Sequence, residues 1–460
     1  MKIFQILLRY ALLWLILLTL YFPMPSRAAY PVLHDYIITY NQKDLEQSLN
    51  DDTYQGEVGI LRIRPDIAGD LGMKIFMDQD YLDSRILFKK SEAALKKVEA
   101  LLKSEDKELS SEYYAKNILE SYLIYKNNLE LIRTKLAVYR TKIAPENDER
   151  MNDVVSTNLM ARLLEESFKR QDYRLRDALG DFYNVCHGVI DAVFPVTKEN
   201  VKFVNHVYNG FIQHSSRELM KAFNLDHDVG YKVDFKTSNW KRVAENEMPK
   251  LVSNLETVFK RLEGKIYNVD PLLFIALLKK ESSFNPKAVS SVGAAGLAQF
   301  MPKTAQGMGM KNIYIPDYFN EAGSFLARER RVRREAFAIL EQMDEENGLE
   351  YSVRAREKMQ IALALRKEGI NLFSRYKKEL QGEYSDDRLQ PDLSIEYGIK
   401  YFSSLMKSQK GDISLALASY NAGQSRVRDY KGIPPYEETV GYRNKVLMFY
   451  REYIAMLKAE

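Results

Sequence analysis

From about Asp80 onwards, apolar residues recur at helical spacing. Leu95, Val98 and Leu102 fall on one face, and Ile118, Tyr122, Tyr125 and Leu129 on another, with Lys and Glu between them. Ala144-Pro145-Glu146-Asn147 interrupts this pattern; it resumes over 153–192 and breaks again at Phe194-Pro195. Thr197 is placed to cap a helix running towards Phe223, and Trp240 to Glu263 predicts another. Between them, Asn224 to Asn239 is polar and Gly-containing, with a short Val-Asp-Phe alternation that predicts a linker or small hairpin. Before Asp80, apolar runs such as Val58-Gly59-Ile60-Leu61 are cut by Asp, Gly and Pro, so Tyr30 to Gly72 predicts an irregular lead-in. No fixed period marks stacked repeats. The pattern predicts an all-helical N-terminal domain over 30–250.

The strongest apolar run lies further on. Asp270 can cap a helix whose first position is Pro271, where the missing N–H costs nothing. Leu, Phe, Ile and Ala follow almost all round, which predicts a buried helix. Glu281 comes three, four and seven residues after Leu278, Leu277 and Phe274, so its carboxyl shares the apolar face, and Lys279 and Lys280 point elsewhere. Phe284-Asn285-Pro286 ends the helix. An apolar surround and the negative end of a helix both disfavour a carboxylate, so Glu281 is expected to titrate high and to suit a general acid.

Glu281-Ser282-x-Phe284-x-Pro286-x-Ala288-x-Ser290-x-x-Gly293-Ala294-x-Gly296-Leu297-x-Gln299-Phe300-Met301-Pro302-x-Thr304-Ala305 resembles the signature of the soluble lytic transglycosylase (SLT) catalytic domain. Asp392-x-Ser394-Ile395-x-x-Gly398-Ile399-x-Tyr401-Phe402, Leu415 to Gly423 and Pro434 to Tyr442 resemble its later segments. A match this long is specific in a way that a short motif is not. One departure stands at Ala298, where the family usually has Met; it is expected to alter one wall of the sugar groove.

The resemblance implies a mainly α fold: an N-terminal all-helical domain, then a lysozyme-like, mostly helical catalytic domain over 251–460, related to goose-type lysozyme. It implies peptidoglycan glycan strands as substrate and no cofactor. Glu281 would be the catalytic acid, and Ser290, Gly296, Gln299, Met301, Tyr420, Asn421, Glu438 and Tyr442 would line the groove. Two-carboxylate glycosidases flank the scissile bond with a pair of acids. This signature supplies one, which implies cleavage of the MurNAc–GlcNAc β-1,4 bond by Glu281 as acid and then base, with the sugar's own C6 hydroxyl closing a 1,6-anhydro ring. The alternatives are a goose-type-lysozyme-like hydrolase that admits water, and a non-catalytic wall-binding scaffold.

A helical insertion, about 311–390, separates the two halves of this signature. Its Arg328-Glu329-Arg330-Arg331-Val332-Arg333-Arg334-Glu335 run predicts a solvated hairpin laced by ion pairs four residues apart. The sharper alternative is a lid or docking arm whose Arg cluster meets acidic peptide stems or a protein partner, and the N-terminal helical domain is a second candidate for docking one.

The 460 residues carry a net charge of +4, compatible with an anionic polymer without pointing to nucleic acid. Lys2 and Arg9, an apolar core over 11–22 and the small residues after Pro23 predict an exported protein with a signal peptide over 1–29, the alternative being an uncleaved anchor. Export places the protein in the periplasm or envelope of a bacterium. The single Cys186 excludes a disulfide within the chain and is expected to be a structural thiol despite the adjacent His187. The remaining histidines lack metal-ligand spacing, and no metal site is expected.

Overall fold

Short polar side chains start the helices that the apolar pattern predicts. Asp78 accepts from the Tyr81 N–H, Asn152 from those of Val154 and Val155, Thr197 from that of Asn200 and Asp412 from that of Leu415. The computed structural model describes residues 24–48, 54–106, 109–188, 197–220, 223, 239–265, 269–382 and 384–458. In chain order its helices are α1 Met24–Ser48, α2 Pro65–Asp70, α3 Gln79–Lys103, α4 Ser111–Thr141, α5 Asp153–Arg170, α6 Leu175–Cys186, α7 Lys198–His214 and α8 Arg217–Met220. They continue as α9 Trp240–Glu247, α10 Val252–Leu262, α11 Pro271–Ser282, α12 Pro302–Gly307, α13 Asp317–Glu341, α14 Gly348–Gly382, α15 Pro391–Ser408, α16 Ile413–Ala422, α17 Gln424–Asp429 and α18 Glu437–Lys458. Among the described residues extended backbone pairs only in isolated bridges, so the fold is mainly α, as expected.

Several boundaries differ from the sequence reading, each for a local reason. Tyr30 to Ser48 is helix rather than irregular lead-in: Tyr30, Leu33 and Ile37 recur at helical spacing and are buried, a stripe obscured by Pro31 and the polar residues after it. The helical segments expected over 153–192 are α5 and α6, parted where Asp172 and Tyr173 take left-handed φ of 48° and 56°. The helix after Thr197 ends at Ser215, and Pro249 divides the segment from Trp240 to Glu263. The apolar core of the N-terminal leader, the Phe194-Pro195 break and nearly all of the 224–239 linker lie outside the described residues. No described helix is long and apolar enough to cross a membrane.

Chain contacts divide the molecule into two units that cut across the expected boundary at 250/251. One comprises residues up to Met77, Lys142–Lys280 and Ile399 onwards. In its main core, Leu33 and Ile37 of α1 meet Leu164 and Phe168 of α5, Leu179 of α6 and Phe203, Val207 and Phe211 of α7. Asp148 and Arg150, both buried, precede α5: the guanidinium grips both Asp148 oxygens and donates to the carbonyls of Gly56 and Ile63. Cys186 is buried, and burial pushes its thiol up; burial also lowers the ring of His187 to about 4. That ring stacks 3.9 Å from Tyr183 and sets Nδ1 2.8 Å from the Tyr183 carbonyl, so the pair is packing and not a nucleophile with its base.

A buried ionic seam ties α6 to the C-terminal helices of the same unit. Arg176 pairs with both oxygens of Asp412 at 3.0 Å, and Asp177 accepts from Arg443 and Arg451 at 2.6 Å each. Burial pushes Asp177 up, but the two guanidiniums outweigh it and hold the carboxyl well below the usual carboxylate range. A depressed folded value contributes stability above the unfolded value of about 4, lost only as pH falls further towards the folded one. Asp177→Ala strands buried guanidinium charge and should cost about 3–5 kcal/mol in urea unfolding at neutral pH. The gap from wild type should hold from pH 7 to about 5 and close in stronger acid.

The other unit comprises Asp78–Thr141 and Glu281–Gly398. Here the inserted hairpin α13–α14 is not merely solvated. Leu340, Met343, Ala355 and Met359 pack against Val98, Leu102, Tyr114 and Ile118 of the hairpin α3–α4, all of them buried. The Arg356 guanidinium lies 3.7 Å from the Tyr114 ring centre and donates to the Ser104 carbonyl, while Lys126 donates to that of Met343. The charged face carries the expected pairs, Arg333 with Glu329 and Arg331 with Glu335. The insertion is therefore half solvated surface and half the core of a bundle made by two hairpins.

Candidate active site

Helix α11 forms as predicted: the Asp270 carboxylate accepts from the Leu272 N–H at 2.8 Å, and Leu272 to Leu278 are all buried. Glu281 stands in the last turn, half-buried. The chain leaves the helix through Ser283 and Phe284 at φ of 50° and 62°, left-handed values that end α11 before Asn285-Pro286 can.

The following loop is held by its own backbone. Ala295 and Phe300 exchange hydrogen bonds at 3.0 and 3.1 Å, and Gly296 donates to the Ala288 carbonyl at 2.9 Å. Ser290 Oγ accepts from Ala294 N–H at 2.9 Å, and the Gln299 amide donates to the carbonyls of Ala288 and Gly296 at 3.1 and 2.8 Å. Ser290 and Gln299, expected in the groove, thus shape the loop beside Glu281. Met301 is 38% exposed just ahead of α12. Ala298 is fully buried, its N–H on Ser394 Oγ at 3.2 Å, so this departure from the family alters packing beneath the loop and not a groove wall.

Under the loop lies a pair that sequence reasoning missed. Arg388 and Asp386 are both buried, joined through both carboxylate oxygens at 2.9 and 2.7 Å. Arg388 also donates to the carbonyls of Gly293 and Phe300 at 3.1 Å, fixing the two ends of the turn. The available signal was the Asp-x-Arg just ahead of the second signature. Gly296 sits at φ 79°, and a Cβ there would lie 1.7 Å from the Arg388 carbonyl oxygen. Gly296→Ala should therefore cost about 3–4 kcal/mol in thermal or urea unfolding, since neither backbone can yield.

Tyr420, Asn421, Glu438 and Tyr442 are brought together in the unit that holds α16 and α18. The rings of Tyr420 and Tyr442 lie near parallel at 6.5 Å, and Asn421 Oδ1 accepts from Thr439 Oγ1 at 2.8 Å. Tyr420 is half-buried and can offer a ring face, whereas Tyr442 is 3% exposed and belongs to the core; Glu438 is exposed in the first turn of α18. Glu281, Ser290, Gly296, Gln299 and Met301 are together in the other unit. Among the described residues no group of His, Cys, Asp and Glu could hold a metal ion.

A family model described as the transglycosylase SLT domain matches residues 260–322 and 371–439, taking in Glu281, the loop after it and the Tyr420 segment. The chain carries an SLT domain. Tyr442 falls just past the second matched stretch, and the gap confines the departure of this SLT domain from its family to 323–370, narrower than the 311–390 expected. The chain is 46% identical over 67 residues to a transglycosylase of Enterobacteria phage PRD1, which is 15% of this chain and a quarter of that protein's length. An inactive mutant of the lytic transglycosylase Slt from Pseudomonas aeruginosa aligns at 17% identity over 83% of this chain and 52% of that one, with a TM-score of 0.27. The 70-kDa soluble lytic transglycosylase of Escherichia coli aligns at 14% identity over 84% of this chain and 65% of that one, with a TM-score of 0.29.

Proposed function

We propose that the protein is a bacterial peptidoglycan lytic transglycosylase that cleaves the MurNAc–GlcNAc β-1,4 bond and leaves a 1,6-anhydro end, acting in the periplasm or envelope after export by the 1–29 segment. The observation that carries this is a half-buried Glu281 at the end of a buried helix, followed by a rigid loop within the SLT match. That loop, 282–305, contains no Asp or Glu, so the segment offers one carboxyl and no partner for a two-carboxylate hydrolysis.

In this reading Glu281 gives its proton to the leaving oxygen, and the N-acetyl group of the muramic acid steadies the charge at C1. The resulting carboxylate then takes the proton of the C6 hydroxyl as that oxygen bonds to C1. A hydroxyl tethered on the same ring has a large effective concentration, which favours ring closure over water. Tyr420 contributes an aromatic face for a sugar ring, and the loop braced by Ser290, Gly296 and Gln299 keeps the acid's surroundings fixed. Mass spectrometry of digested sacculi tests the reading: anhydro-muropeptides are expected, and ordinary reducing ends in their place would make the protein a hydrolase.

A further inference from the structure

The loop beside Glu281 has a twin in the N-terminal half. Aligned without a gap, Gly56, Gly59, Pro65, Ala68, Gly72 and Met73 fall on Gly293, Gly296, Pro302, Ala305, Gly309 and Met310. The backbone follows: φ is 90° at Gly56 and 88° at Gly293, 72° at Gly59 and 79° at Gly296, and 51° at Arg62 and 48° at Gln299. Non-glycine residues seldom take such values, so the last coincidence is informative. Val58 bridges to Ile63 as Ala295 bridges to Phe300. A Cβ on Gly59 would meet the Arg150 carbonyl oxygen at 1.8 Å, as one on Gly296 would meet that of Arg388. Arg150 grips Asp148 and two loop carbonyls in the pattern of Arg388 with Asp386.

The elements around the loops correspond as well. Helices α2 and α12 are each 6 residues long, α3 and α13 each 25, and α5 and α15 each 18. After them, Tyr183-Asn184 stands for Tyr420-Asn421: Asn200 donates to Asn184 Oδ1 at 2.6 Å as Thr439 donates to Asn421 Oδ1 at 2.8 Å. Phe203 packs 5.0 Å from Tyr183 where Tyr442 faces Tyr420.

The ungapped alignment puts Asp44 at the position of Glu281 and Arg62 at that of Gln299. Arg62 is buried and its guanidinium pairs with the Asp44 carboxylate. A carboxylate so paired is engaged by a buried cation where the Glu281 carboxyl has the amide of Gln299 at the matching position. Tyr183 is only 8% exposed and the His187 ring stacks on it, so the ring face that half-buried Tyr420 offers is covered here.

We infer that residues 24–214 are a second copy of the fold that carries Glu281, retired from catalysis at Asp44 and kept for the hairpin α3–α4 with which it covers the hairpin of the active copy. The duplication stands on geometry alone; the silence of Asp44 rests on the reading of Glu281 as the acid. In the full chain, Asp44→Asn and Arg62→Gln should keep the rate of anhydro-muropeptide release within about twofold of wild type, whereas Glu281→Gln should lose about 10³-fold or more. A loss in Asp44→Asn comparable to that in Glu281→Gln, with unchanged circular dichroism and melting temperature, overturns the silent copy. Should wild type release no anhydro sugar, the activity reading falls, and the inference is then judged by soaking crystals of the full chain with tri-N-acetylchitotriose. Sugar bound beside Asp44 and Tyr183 overturns it; that site staying empty, with the Arg150 and Arg388 clamps superposing, upholds it.

Discussion

Glu281→Gln should bind glycan strands and fail to cut them. The amide keeps the size and polarity of the side chain and removes the one proton that the leaving oxygen needs. General acid–base catalysis is worth about 10²–10⁴-fold, and in the proposed mechanism one group serves both halves of the reaction, so the loss should reach the upper end of that range. It should fall on kcat and spare KM, because the residue acts on the transition state rather than on strand binding. Release of anhydro-muropeptides from purified sacculi measures it. A variant that digests sacculi as wild type does would take Glu281 out of the reaction.

The second large effect is on stability. Asp386→Ala should cost about 3–5 kcal/mol, because it leaves the buried Arg388 guanidinium without its carboxylate. The midpoint of urea unfolding, read with the slope held common to wild type, measures it. Since Arg388 also ties the carbonyls of Gly293 and Phe300, the same variant should loosen the loop beside Glu281 and lower turnover in whatever fraction stays folded. An unchanged midpoint would show that the pair does not hold the loop.

What was legible in the sequence was what short-range chemistry dictates. The cap at Asp270 and the apolar run of α11 act within a few residues of themselves, and both formed as read. Three things were not legible, for different reasons. Ser290 and Gln299 carry side chains fit for sugar, but they spend hydrogen bonds on a backbone whose path only the folded loop reveals. The burial of α13–α14 depends on which apolar stripe meets which, and Leu340 finds its partners far away, in α3 and α4. The duplication escaped a search for fixed periods because its two copies share glycine, proline and alanine at positions set by backbone geometry, while the intervening side chains have diverged from Glu281 to Asp44 and from Gln299 to Arg62.

The bundle of two hairpins has a practical side. A chain trimmed to begin at residue 251 would keep every residue of the SLT match and discard α3–α4. It would present Leu340, Met343 and Met359 to water as a bare oily flank, ready to be satisfied by a second molecule or by aggregation. The smallest piece of this protein worth purifying by itself therefore reaches back to residues that belong, by descent, to its silent twin.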